Sequence, residues 1–243
     1  MSNSLTSVLG AEHEITTVVQ GPLTFYYGFE QGTQQWLDFR SRYATCSNAL
    51  LISEKGLNAA IECNRQHAAR RTPNGNDYAE RGHVLEDEIK EKLAEVFNNE
   101  HQKVINCSFI TNEAYPLAGY SPDGIVVDAH TNEFIAPIEV KCFNDWTEVY
   151  DKKTGQLVKR THTQKHTHCV EDIKNIPLDN IMQFEMEMLM TNTEQLLVVL
   201  YNPEADPGVP QLKIHVYKPF TMTVDGERRM VYREKLAKRL GRS

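Results

Sequence analysis

The chain has 243 residues, 40% hydrophobic and 24% charged, with a formal net charge of −7. That length supports one domain with insertions or one domain plus an arm, and the composition is that of an ordinary globular protein. The acidic balance weighs lightly against nucleic acid, but basic side chains gather at 65–71, 152–168 and 228–239 and leave room for a phosphate-facing surface on an acidic body. No apolar run reaches the roughly 18 residues a membrane-spanning helix needs. Cysteines 46, 63, 107, 142 and 169 are odd in number and include no Cys-x-x-Cys pair. They point to a reducing compartment and away from a disulfide framework, a zinc ribbon or a cysteine-held iron–sulfur cluster. With no basic stretch leading into an apolar core at the N-terminus, a cytoplasmic location is expected.

Residues 1–29 read as an N-terminal arm with strand character in EITTVVQ and LTFYYGF. Over 31–62 the pattern is helix, break, helix, with Ser47 a candidate cap for the second helix. RTPNGND, 71–77, is a loop. The clearest helix covers 78–99. At about 100° per residue, Ile89, Leu93, Val96 and Phe97 fall about 40°, 80°, 20° and 120° from Leu85, which makes one apolar stripe. Glu86, at about 100°, is a carboxylate inside that stripe; Asp87 and Glu88 point away.

KVINCSFIT, 103–111, reads as a strand. Residues 118–143 then read as a hairpin with a polar turn at 129–132. Side chains alternate faces along a strand, so Glu139 and Lys141 share one face and Ile138 and Val140 the other. Ile138 and Val140 can enter the core. Glu139 and Lys141 must border a cleft, because a buried unpaired charge is costly. The turn sets the register and brings residue 123 opposite 138 within about a residue or two, so Asp123 comes beside Glu139. Adjacent carboxylates repel unless a cation joins them. Hard oxygen ligands with no Cys or His near in sequence favour Mg²⁺ or Mn²⁺. Glu86, on a helix crossing the same sheet, would supply an outer ligand. Lys141 would orient a water beside the metal or accept its proton, with a pKa lowered by desolvation and by the metal. A divalent ion with an activated water is the equipment of phosphodiester hydrolysis.

Residues 144–175 are a polar excursion with a turn signal at Lys153-Thr154-Gly155. A buried helix follows over 177–192, a continuous apolar strand over 195–203, another strand over 212–220 and a basic amphipathic helix over 226–240. The order predicts an α/β fold with a central mixed β-sheet flanked by helices.

Glu86, Pro122-Asp123 and Glu139-Val140-Lys141 together resemble the PD-(D/E)xK nuclease superfamily. RGHVLE (81–86) matches the RG-x3-E helix motif of its lambda-exonuclease / YqaJ-type viral recombinase family, and SPDGIV and IEVKC match that family's metal-binding strands. IMQFEM (181–186) matches the helix that carries its catalytic-site glutamine, here Gln183. QGTQQWLDFRSRYATCS resembles its N-terminal motif, whose places are held by Trp36, Arg40, Thr45 and Ser47. The resemblance spans roughly residues 30–205 and rests on five motifs in order.

The resemblance implies a restriction-endonuclease-like core and a division into an N-terminal arm (1–29), a nuclease domain (30–225, with an insertion at about 144–175) and a basic C-terminal helix (226–243). It implies a Mg²⁺-dependent 5′-to-3′ exonuclease that digests one strand of linear double-stranded DNA from a 5′-phosphorylated end. Asp123, Glu139 and the Val140 carbonyl would hold Mg²⁺, which Mn²⁺ could replace, and Glu86 would assist a second ion. Lys141 would help to activate water, and Gln183 would hold Lys141 or the nucleophile. Arg40, Ser47 and Thr45 would receive the 5′-phosphate, while Trp36 is read as core. A trimeric ring around DNA, a single-strand annealing protein as partner, a role in phage-type recombination and, for a phage-encoded chain, the bacterial host cytoplasm come with the same resemblance.

Three features depart from the family pattern. Glu185 stands where some members have a second glutamine, the 144–175 excursion is long, and residues 1–29 have no counterpart. His162, His166, His168 and Cys169 do not share one helix face and are read as DNA-facing polar residues rather than a zinc site. The rival readings are an endonuclease or end-repair nuclease of another PD-(D/E)xK branch, and a non-catalytic DNA-end binding protein. The last is disfavoured because Asp123, Glu139 and Lys141 are all present.

Overall fold

A computed structural model describes residues 14–70, 88–142, 146–150, 157–161, 177–201 and 211–241. Glu86, the turn at 153–155 and the stretch from His162 to Cys169 lie outside the described residues. Strands β1 (Thr16–Gln20) and β2 (Leu23–Tyr27) form a hairpin through Gly21, whose φ of 57° is a left-handed conformation that glycine adopts without cost to a side chain. Helix α1 (Gln34–Arg40) starts where the Thr33 hydroxyl accepts the Trp36 N–H. A short strand β3 (Ala44–Thr45) and a 3-10 turn (Cys46–Asn48) lead into α2 (Ala49–Lys55) and α3 (Leu57–Arg70). Residues 88–97 are helical (α4). Next come β4 (Gln102–Ile105), β5 (Phe109–Asn112), β6 (Ala118–Tyr120), β7 (Gly124–Asp128) and β8 (Phe134–Cys142). β9 (Trp146–Tyr150) and β10 (Leu157–Thr161) pair with each other within the predicted excursion. Helix α5 (Leu178–Thr191) is followed by β11 (Leu196–Tyr201), β12 (Leu212–Tyr217), the small hairpin β13 (Met222–Val224) and β14 (Glu227–Arg229), and α6 (Val231–Leu240).

Among the described residues two five-stranded sheets carry the fold. One has the order β12-β11-β8-β7-β4, with β11 parallel to β8 and the other pairs antiparallel; this is the predicted central mixed sheet. The second has the order β1-β2-β5-β6-β3. Residues 14–29, read from the sequence as part of an arm, thus carry a hairpin whose inner strand is hydrogen-bonded to β5.

Helices cover both faces of the central sheet. On one face Ile89 and Leu93 of α4 pack with Val126, Ala136, Ile138 and Val199. On the other, Ile181, Phe184 and Met188 of α5 pack with Val198 and Leu200. Pairing sets Val198 beside Glu139 and Leu200 beside Lys141, so the two charged residues of β8 face α5.

Three local expectations are corrected. The strand read over 103–111 is two strands in different sheets. The break falls where the Ser108 N–H donates to the Tyr26 carbonyl at 2.9 Å, its hydroxyl donates to the Phe29 carbonyl at 2.9 Å, and the Cys107 thiol is buried. Val96, placed in the apolar stripe, is 57% exposed. The buried arc of α4 follows Ile89, Leu93 and partly buried Phe97, and Val96 lies at its margin. Ser47 does not cap α2: the cap position is Asn48, without a side-chain bond, and the Ser47 hydroxyl is occupied by Arg40.

Candidate active site

The β7–β8 hairpin assembles the first half of the site. Gly124 pairs with Ile138, and one residue earlier the Asp123 N–H donates to the Ile138 carbonyl at 3.2 Å. Asp123 Oδ2 in turn accepts the Val140 N–H at 2.7 Å, which fixes its carboxylate at the mouth of the hairpin beside Glu139. Glu139 is buried, and its Oε1 lies 2.7 Å from Lys141 Nζ. The opposite charges two residues apart on β8 are therefore an ion pair on the face turned toward α5.

Helix α5 supplies the second half. Gln183 Oε1 accepts from Lys141 Nζ at 3.2 Å, and Gln183 Nε2 donates to Glu139 Oε1 at 2.7 Å. The same Nε2 donates to Glu187 Oε1, one turn along the helix, at 2.7 Å. Sequence reasoning missed Glu187. The available signal was a carboxylate four residues after Gln183, hence on its face of the helix, inside a segment too apolar to shelter a charge. Burial, and then the nearby Glu139 charge, push the Glu187 carboxyl well above the usual carboxylate range. Burial also pulls the Lys141 ammonium down, but Glu139 against it, with Glu187 and Asp123 behind, reverses that. The net direction is upward. The lowering was expected from desolvation and a bound metal together; of these, desolvation is outweighed by the protein's own carboxylates, which hold Lys141 as a cation.

Of the predicted metal ligands, the structure brings Asp123, Glu139 and Val140 together, while Glu86 lies outside the described residues. Among the described residues no group of three or more His, Cys, Asp or Glu side chains is placed as a ligand set. The chemistry of the donors present, carboxylate and carbonyl oxygens with no imidazole, fits a hard divalent cation.

Arg40, Thr45 and Ser47 also converge. Arg40 Nη2 donates to Ser47 Oγ at 2.7 Å and to Thr45 Oγ1 at 3.4 Å, and the two hydroxyls lie 3.1 Å apart. Asn64, which the sequence reading did not single out, sets the polarity of this network. Its Nδ2 donates to the Tyr43 carbonyl at 2.8 Å, and a carbonyl can only accept, so the amide has one orientation. Nδ2 also donates to Thr45 Oγ1 at 3.2 Å, and Asn48 Nδ2 donates to it at 3.4 Å. Surrounded by donors, Thr45 must give its own hydrogen to Ser47. Ser47 Oγ then accepts from both Thr45 and Arg40, which leaves the hydrogen of this exposed residue for a partner outside the trio. Arg40 Nε is a buried donor with no hydrogen-bond partner, and its guanidinium sits 4.9 Å from the ring centre of buried Trp36. The cluster therefore offers an anion its exposed member, the Ser47 hydroxyl, with the Arg40 guanidinium behind it. Burial lowers the Arg40 pKa, and Glu139 is among the groups that raise it back. The donor cluster and the acidic cluster thus lie within reach of each other's fields.

Glu185, the suspected departure beside Gln183, faces elsewhere. Its Oε1 accepts from the Tyr217 hydroxyl at 3.1 Å and from the Phe220 N–H at 2.6 Å. Burial raises its pKa above the ordinary 4.5 despite those donors and Arg233. The folded chain therefore holds this proton more tightly than the unfolded chain. The stability linked to it is complete below that ordinary value and is lost as pH rises through the folded one. In thermal unfolding, Glu185→Gln is expected to gain progressively over the parent as pH rises above the ordinary carboxylate range; a difference that does not change with pH would contradict burial as the cause.

No protein-family profile and no curated protein matches the chain. Among solved structures, it is similar to the alkaline exonuclease LHK-Exo from Laribacter hongkongensis. The TM-score is 0.52 at 17% identity, covering 86% of this chain and 89% of that one. The chain shares that exonuclease's fold. A structure of LHK-Exo in complex with dAMP gives a TM-score of 0.48 at 17% identity, covering 86% of this chain and 89% of that one. The architecture is a restriction-endonuclease-like α/β fold, with the central mixed sheet between helices as the sequence order predicts.

Proposed function

We propose that this protein is a Mg²⁺-dependent 5′-to-3′ exonuclease that digests one strand of linear double-stranded DNA from a 5′-phosphorylated end. The observation that carries the reading is the Asp123 carboxylate held at the hairpin mouth by the Val140 N–H, next in sequence to a buried Glu139 that carries the Lys141 ammonium. The alkaline-exonuclease fold and the neighbouring donor cluster support it.

Asp123, Glu139 and the Val140 carbonyl would hold the metal, with Glu86 assisting a second ion and Mn²⁺ an acceptable substitute. When bound, the metal supplies a Lewis acid and an activated water. Lys141, held cationic by Glu139, orients the attacking water and offsets charge that develops on the phosphate. Gln183 fixes the ammonium by accepting from it. Ser47 O–H and the Arg40 guanidinium receive the terminal phosphate, since a guanidinium presents a fork of donors to phosphate oxygens. The family resemblance extends this reading to a trimeric ring, a single-strand annealing partner and recombination.

Digestion of linear duplex with Mg²⁺, comparing 5′-phosphate with 5′-hydroxyl ends and following product lengths in time, tests the proposal. Progressive shortening from phosphorylated ends is expected. Rapid cutting of closed circular DNA would favour an endonuclease instead, and equal rates on both ends would remove the phosphate pocket. Arg40→Ala should cut the preference for phosphorylated ends by about tenfold or more, the scale of a lost charge-assisted hydrogen bond, while duplex affinity changes less.

A further inference from the structure

Gln183 carries a terminal amide whose oxygen and nitrogen ends have nearly the same shape and opposite polarity. Only the oxygen end can meet Lys141, because an ammonium has donors alone. Glu139 Oε1 accepts one contact from Gln183 Nε2, but that same oxygen also receives Lys141 Nζ. The second acceptor for the amide nitrogen is Glu187 Oε1 at 2.7 Å. With both contacts made, Nε2 faces two acids and Oε1 faces the amine at 3.2 Å.

Glu187 is an expensive residue to keep. It is fully buried, and its Oε2 has no hydrogen-bond partner. Met186, Met188 and Met190 around it on α5 are buried too, so a methionine is the native solution for neighbouring positions. A buried carboxyl group with one oxygen left unpartnered opposes folding. A group that opposes folding while contacting the functional cluster marks a site where stability is given up for geometry.

We propose that Glu187 is a positioning residue: by accepting from Gln183 Nε2 it locks the amide with Oε1 on Lys141 Nζ, and so holds the ammonium in the orientation that hydrolysis needs. This rests on the nuclease reading of the site.

Glu187→Met and Glu187→Gln test it by thermal unfolding, duplex-DNA affinity and single-turnover digestion with Mg²⁺. Glu187→Met should melt several degrees higher than the parent. Its single-turnover rate should fall about 10- to 100-fold, the scale of a misplaced reacting group, with duplex affinity unchanged. Glu187→Gln, which keeps a carbonyl acceptor for the Gln183 N–H, should recover most of the rate. A Glu187→Met protein that melts lower, with rate lost in step with folding, would make the role structural and overturn the proposal. Parental rates in a well-folded Glu187→Met protein would overturn it while leaving the nuclease reading intact. A parent that releases no nucleotide from any DNA end would overturn both.

Discussion

Asp123→Ala is expected to lower Mg²⁺-dependent nucleotide release on the order of 10³-fold, the several kcal/mol that charge stabilisation by a bound ion supplies. Two functions are lost together in that variant: a carboxylate beside Glu139, and the acceptor for the Val140 N–H. Asp123→Asn separates them. An asparagine oxygen can still accept from Val140, so the hairpin mouth stays closed, while the negative charge is gone. If charge is what matters, Asn and Ala are equally inactive and only Ala melts appreciably lower. An active Asp123→Asn enzyme would sink the metal reading. Duplex binding, measured without Mg²⁺, should survive in both variants.

Lys141→Ala should lose about 10²- to 10³-fold in turnover, the range for removing one preorganised donor aimed at developing charge, while keeping metal and duplex binding. Removing the ammonium strips buried Glu139 of its cation, so the variant should also melt lower in the absence of metal. Mg²⁺ should restore much of that melting temperature without restoring turnover. Turnover unaffected by the substitution would remove Lys141 from the chemistry.

The β7–β8 half of the site was legible because a hairpin is local. A polar turn at 129–132 fixes to within a residue which residues meet, the register shifting by one at Val126/Val127, and the observed partners Gly124 and Ile138 put Asp123 beside Glu139 and Val140 as the turn predicts. Gln183 is some forty residues away and was identified only through the family resemblance. Glu187 escaped because α5 reads as apolar nearly all round, and nothing local says which side of it meets β8. The broken strand at 106–108 escaped for a related reason. The segment has no glycine or proline to mark it, and the partners that hold the break are the carbonyls of Tyr26 and Phe29, about eighty residues back. The polarity of the Arg40 cluster was likewise set at a distance, by Asn64 on α3 holding the Tyr43 carbonyl.

The route of the chain through the site also orders its assembly. Asp123, Glu139 and Lys141 are joined by the closure of one short hairpin, which is fast and entropically mild. Gln183 and Glu187 arrive only when α5 docks on a sheet whose parallel β8–β11 pair must close across the whole intervening segment. Contacts of that range carry the larger loop-closure cost and are intrinsically slow to form. A chain caught between the two steps would already own its anionic pair but would lack the amide clamp on its amine, so competence for cleavage would lag behind competence for gathering cations.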